Sequence, residues 1–75
     1  MKLSEGEIGK TYEVEKIDNT EQVTRRLEAL GMTGHAGIKV LNKKEKGSMI
    51  IKVRGTRWAI GRRIADGITV REAQG

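Results

Sequence analysis

The segment GIKVLNKKEKGSMIIKVRG, Gly37 to Gly55, carries two runs of alternating side chains. Ile38 and Val40 flank Lys39. Met49, Ile51 and Val53 alternate with Ile50, Lys52 and Arg54, so each run gathers its apolar groups on one face of a strand. Asn42 to Gly47, between them, is polar and ends in glycine. Two such runs joined in this way make a β-hairpin, with a link longer than the two-residue ideal.

Upstream, Thr11 to Ile17 repeats the period of two, with Tyr12 and Val14 against Glu13 and Glu15. Ile17 falls on the opposite parity, which calls for a bulge or an exit into a turn. Leu3 and Ile8, in an opening loop with Gly6 and Gly9, are expected to close one end of the core. The period then changes. Val23, Leu27 and Leu30 follow helical spacing, with Asn19 as N-cap, Gln22 at N3 and Gly31 as the terminating glycine, so a helix is expected over about 20–30. Downstream, Thr56 to Trp58 reads as a short strand. Ala59 to Ala65 reads as a helical turn ending at Asp66-Gly67, and Ile68 and Val70 as a last strand. About five strands, one inserted helix and a short helical turn over 59–65 give a mainly β fold, a small, partly open barrel.

Seventy-five residues hold one domain, expected over 1–75, with a thin core. The chain has no cysteine, which excludes disulfide staples and thiolate metal sites. No apolar run exceeds the three residues of Met49-Ile50-Ile51, far short of the roughly 20 that cross a bilayer. The opening Met-Lys-Leu-Ser-Glu lacks an apolar stretch, so no signal peptide is expected and a reducing, cytoplasmic location is.

The net charge of +5 is unevenly placed. Residues 39–63 hold Lys39, Lys43, Lys44, Lys46, Lys52, Arg54, Arg57, Arg62 and Arg63 against Glu45 alone, whereas residues 1–38 are net acidic. A field of one sign suits an anionic partner: nucleic acid, an acidic protein face or the inner membrane surface. A solvated basic sheet face is the plainer reading of the same residues. Gly31, Gly34 and Gly37 follow a helix and lead into a strand, the reverse of a phosphate loop, and read as a cap and turn positions needing positive φ. His35 has no carboxylate within six residues on either side, so it reads as a loop histidine in solvent and not as a metal ligand. Glu5/Glu7 and Glu13/Glu15 lack the burial that would make them catalytic. No catalytic residue, metal site or cofactor is expected, and at this size an enzyme with its own pocket is not expected either. Arg25, Arg26, Arg62 and Arg63 are the charged contact candidates. Trp58, one of two aromatic residues, borders the basic segment as a core residue or an exposed anchor.

Arg25-Arg26-Leu27-Glu28-Ala29-Leu30-Gly31-Met32-Thr33-Gly34, followed by Gly37-Ile38-Lys39-Val40, resembles the FeoA family of bacterial ferrous-iron-transport accessory proteins. The run Ile51-Lys52-Val53-Arg54-Gly55-Thr56-Arg57-Trp58-Ala59-Ile60-Gly61 resembles that family's strand, turn and short helix, and the likeness extends over nearly the whole chain. The resemblance implies an SH3-like barrel with the helix inserted after the first strand. It also implies work beside the inner-membrane Fe(II) permease FeoB, whose cytosolic part binds GTP, so that the chain would be peripheral to the membrane through its partner. Transition-metal binding is implied at the family level, although this chain offers no ligand set.

Two functional classes therefore stand. One is a non-enzymatic regulatory module docking on the permease's cytosolic region through an apolar centre of Leu30, Met32 and Trp58, steered by Arg25, Arg26, Arg62 and Arg63. The other is a basic small barrel binding nucleic acid, for which residues 39–63 supply phosphate contacts while stacking aromatics are scarce.

Overall fold

The computed structural model describes residues 1–73; Gln74 and Gly75, the end of the expected domain, lie outside the described residues. Five strands, β1 (Thr11–Ile17), β2 (Gly37–Lys43), β3 (Met49–Val53), β4 (Thr56–Ile60) and β5 (Ile68–Glu72), form one antiparallel sheet in the order β4-β3-β2-β1-β5. The sheet does not close, so the partly open, mainly β architecture holds. Helix α1 (Glu21–Ala29) is inserted between β1 and β2, and a short helix α2 (Arg62–Asp66) joins β4 to β5.

The alternating residues face inward as the period requires. Tyr12, Val14, Ile38, Val40, Met49, Ile51, Val53, Ile68 and Val70 are buried together, joined by Leu3, Leu27, Met32, Ile60 and Ala65. The parity break before Ile17 is a bulge at Glu15: Val14 pairs with Val70, but Lys16 pairs with Thr69. The extra residue lets Ile17 pack against the core. A second bulge, at Leu41, lies between the Val40–Ile51 and Asn42–Ile50 pairs. β2 consequently runs to Lys43, two residues into the segment expected to be the link.

Helix α1 begins one residue later than the sequence suggests. Its N-cap is Thr20, whose Oγ1 accepts a hydrogen bond from Val23 N–H at 3.2 Å. Asn19 is otherwise engaged, its Nδ2 donating to Ile64 O at 3.4 Å. At the other end Gly31, at φ +101°, donates to Glu28 O, and Met32 N–H donates to Leu27 O at 3.0 Å. This is the double bond pattern of a Schellman motif, which places Met32 against Leu27.

Three further expectations are corrected. β4 continues through Ala59 and Ile60 because Ile60 pairs with Met49 and is buried, so the helical turn starts at Arg62 and not at Ala59. Ile8 is 57% exposed: the turn closed by Lys10 N–H donating to Glu7 O carries it outward, and only Leu3 closes that end of the core. In the 31–37 loop positive φ occurs at Gly31 and His35, not at Gly34 or Gly37.

Candidate interaction surface

Arg54 and Gly55 both have positive φ and form a two-residue turn between the Val53–Thr56 pair, the geometry that matches strand twist in a tight hairpin. That turn sets the register of β4 against β3. Lys52 then faces Arg57, and Lys52 also faces Lys39 on β2. One exposed cation from each of three neighbouring strands thus lies in a single row. Like charges directly opposed across strands are destabilising, and none of the three has an ion-pair partner among the described residues.

Two residues along β3 and β4, and three along β2 because of the bulge, Asn42, Ile50 and Ala59 form the next row. These three, with Leu41, Lys44, Arg57 and Trp58, line a shallow open depression of about 680 Å³. Its apolar floor is therefore rimmed by cations. Trp58 is half-buried, packed against the core beside its cross-strand partner Ile51. Its Nε1 is the one buried side-chain polar atom without a hydrogen-bond partner among the described residues. Lys44 also lines a smaller depression of about 210 Å³ with Ser4, Glu5, Lys43, Gly47 and Arg62. The larger depression holds no carboxylate, histidine or hydroxyl. It can bind a surface but presents no acid–base pair.

The acids gather elsewhere. Glu13 Oε1 accepts from Arg71 Nη2 at 2.8 Å and lies 2.9 Å from His35 Nδ1. The Arg71 hydrogen bond, then that of His35, holds the Glu13 carboxyl below its ordinary value, and Arg71 is raised in turn. His35 is 81% exposed at its side chain, as a solvent loop histidine would be, yet it has a carboxylate neighbour contributed by β1. Lys10 bridges Glu7 at 2.8 Å and Glu72 at 3.0 Å; Glu7 is lowered and Lys10 raised by these contacts. Among the described residues no three of His, Asp or Glu are grouped as a metal centre requires, and Glu13 is already shared with Arg71. Among the described residues this donor set does not make up the three or four ligands that a transition metal takes.

The contact candidates read from sequence are dispersed. Arg25 is exposed and paired with Glu21 at 2.5 Å, and Arg26 and Arg63 are exposed. Arg62 lies 3.7 Å from Asp66 and reaches the smaller depression. Leu30, the α1 C-cap, is half-buried. Met32 is fully buried and cannot be part of a contact centre; the Schellman turn draws it into the core. Of the seven, only Trp58 lines the larger depression. Lys39, Lys52, Ile50 and Ala59 were not singled out from sequence. Their signal is cross-strand register, which depends on the bulge at Leu41.

A model of the FeoA domain matches residues 1–72. The chain belongs to the FeoA family. A FeoA protein from Chlorobium tepidum is 36% identical with a TM-score of 0.92, covering 100% of this chain and 72% of that one. A crystal structure of an iron uptake regulatory protein (FeoA) is 34% identical with a TM-score of 0.87, covering 97% of each chain. The FeoA of Stenotrophomonas maltophilia, solved with zinc and described as a prokaryotic SH3 domain protein, is 25% identical with a TM-score of 0.83, covering 95% of this chain and 89% of that one. No curated protein matches. The SH3-like architecture expected of a FeoA chain is therefore the one observed, and membership points to a role in ferrous iron transport. No helix among the described residues is long and apolar enough to cross a membrane.

Proposed function

We propose that this chain is a non-enzymatic accessory module of ferrous iron uptake that docks on the cytosolic region of a FeoB-type Fe(II) permease. It would work in the cytoplasm, peripheral to the inner membrane through that partner. The observation that carries the reading is the FeoA family match together with an apolar depression rimmed by cations that have no ion-pair partner among the described residues. Apolar floor supplies burial, and a basic rim steers an acidic partner and fixes its orientation. Neither a cofactor nor a metal of its own enters this reading, because the depression offers no ligand set. Titration of the chain against the purified cytosolic region at physiological salt tests it. Saturable binding supports the module, and no binding removes it.

The row of Lys39, Lys52 and Arg57 favours one second reading, a nucleic-acid-binding barrel, because three aligned cations suit phosphate contacts. Gel shift with mixed RNA and DNA separates the two: retention at about 50 mM salt that falls steeply as salt rises belongs to this second reading.

A further inference from the structure

The chain treats the two edges of its sheet differently. At β5 the edge is covered: the terminal amine of Met1 donates to Val70 O at 3.0 Å, Val70 N–H donates to Met1 O at 2.7 Å, and Lys2 bridges Thr69. At β4 it is open. Among the described residues, β3 is the only strand paired with Thr56–Ile60, and no turn, loop or cap supplies a backbone hydrogen bond to them. An uncovered edge is a row of free N–H and C=O groups, ready to template another strand.

Chemistry at this edge narrows what can pair there. Arg57 is the second residue of β4, with Lys52 beside it and Lys44 at the rim of the adjoining depression, and none of the three is ion-paired among the described residues. A second copy of β4, paired antiparallel over its whole length, would set Arg57 opposite Ala59 and diagonal to its own copy on the same face, so self-pairing is opposed by like charge. An acidic strand meets the opposite sign. Next to the edge, Ile50, Ala59 and Trp58 offer an apolar seat, and the Trp58 indole N–H lacks an acceptor.

We propose that the open edge of β4 accepts an extended acidic segment of the partner protein as a sixth strand. One of that segment's apolar side chains would sit against Ile50, Ala59 and Trp58. The inference rests on the docking reading above and names the surface that performs it. Main-chain hydrogen bonds to β4 supply affinity, and the seat and the cationic row select sequence. The Trp58 N–H, which lacks an acceptor among the described residues, would gain one from the incoming strand, which a buried donor strongly favours.

The test uses the ¹⁵N-labelled full chain and the purified cytosolic region of the permease, with amide hydrogen exchange read residue by residue. Strand addition should slow alternate amides within Thr56–Ile60 by at least about tenfold, because alternate N–H groups of an edge strand face the added one. Trp58→Phe should weaken binding by about fivefold, one hydrogen bond's worth, measured under conditions where a urea series shows the variant still folded. Ala59→Arg, at an exposed position, should fill the seat and weaken binding while the chain stays folded. Binding that leaves the β4 amides unprotected overturns the sixth strand and leaves the docking reading standing. No binding by the unmodified chain overturns the docking reading and this inference with it. Retention of single-stranded RNA that shifts Lys39 and Lys52 but leaves the edge open also overturns the sixth strand.

Discussion

A Cβ at Gly67 would lie 2.4 Å from Asp18 O and 2.7 Å from Asn19 Nδ2. The first of these is backbone and is fixed, because Asp18 N–H donates to Gly67 O at 2.6 Å. Gly67→Ala should therefore cost about 2 kcal/mol or more, read as a lower urea midpoint with an unchanged slope. In sequence, Asp66-Gly67 reads only as a helix end; the approach of a strand terminus 49 positions away in the chain leaves no local mark. Glu13 gives the second prediction. Its carboxyl is lowered in the folded chain, so its stabilisation is present above the ordinary value of 4.5 and fades as pH falls through the lowered one. Glu13→Gln should flatten part of the loss of stability as pH falls below about 5, while the lowered carboxyl of Glu7 keeps its own share. An urea series at stepped pH measures it, and an acid limb identical to that of the unmodified chain would contradict the assignment. Met32 shows what sequence conceals at this level. It was legible as an apolar residue after a helix, but its burial follows from being the second residue beyond the cap, bonded back to Leu27.

Helix α1 and the hairpins were legible because their signals are local. The period of 3.6 in Val23, Leu27 and Leu30, the terminating Gly31 and the alternation around Lys39 and Lys52 are all contained within a few residues. Boundaries depend on rivals. Both Asn19 and Thr20 can cap a helix; the choice fell to Thr20 because Asn19 reaches α2. Thr20→Ala should cost about 1 kcal/mol of stability and loosen the first turn, visible as faster exchange of the Val23 amide. The end of β4 lies two residues later, and the start of α2 three residues later, than the sequence suggests, for a similar reason. Ala59 and Ile60 suit either state, and pairing with Ile50 and Met49 settles it. The bulge at Leu41 has no signature in the sequence, yet it sets which residues of β2 stand beside Ile50.

Across the molecule the charge is polarised. Glu7, Glu13 and Glu72 are tied to Lys10, Arg71 and His35 around β1 and β5, while the β2–β3–β4 face keeps its cations free among the described residues. The polarity itself was legible from counting Lys and Arg in residues 39–63. The site was not, because a row made of one residue from each of three strands exists only after the register is fixed. Arg25 and Arg26, prominent in sequence, lie outside the depression. Reversing them should change affinity for an acidic partner less than twofold, against tenfold or more for cations on the row. The central claim is that the face bearing Lys52 and Arg57 binds the permease's cytosolic region, and stopped-flow association of the two proteins at physiological salt tests it most directly. The account predicts saturable binding, with Lys52→Glu and Arg57→Glu together lowering the association rate at least about tenfold. Equal rates for this double variant and the unmodified chain would contradict it.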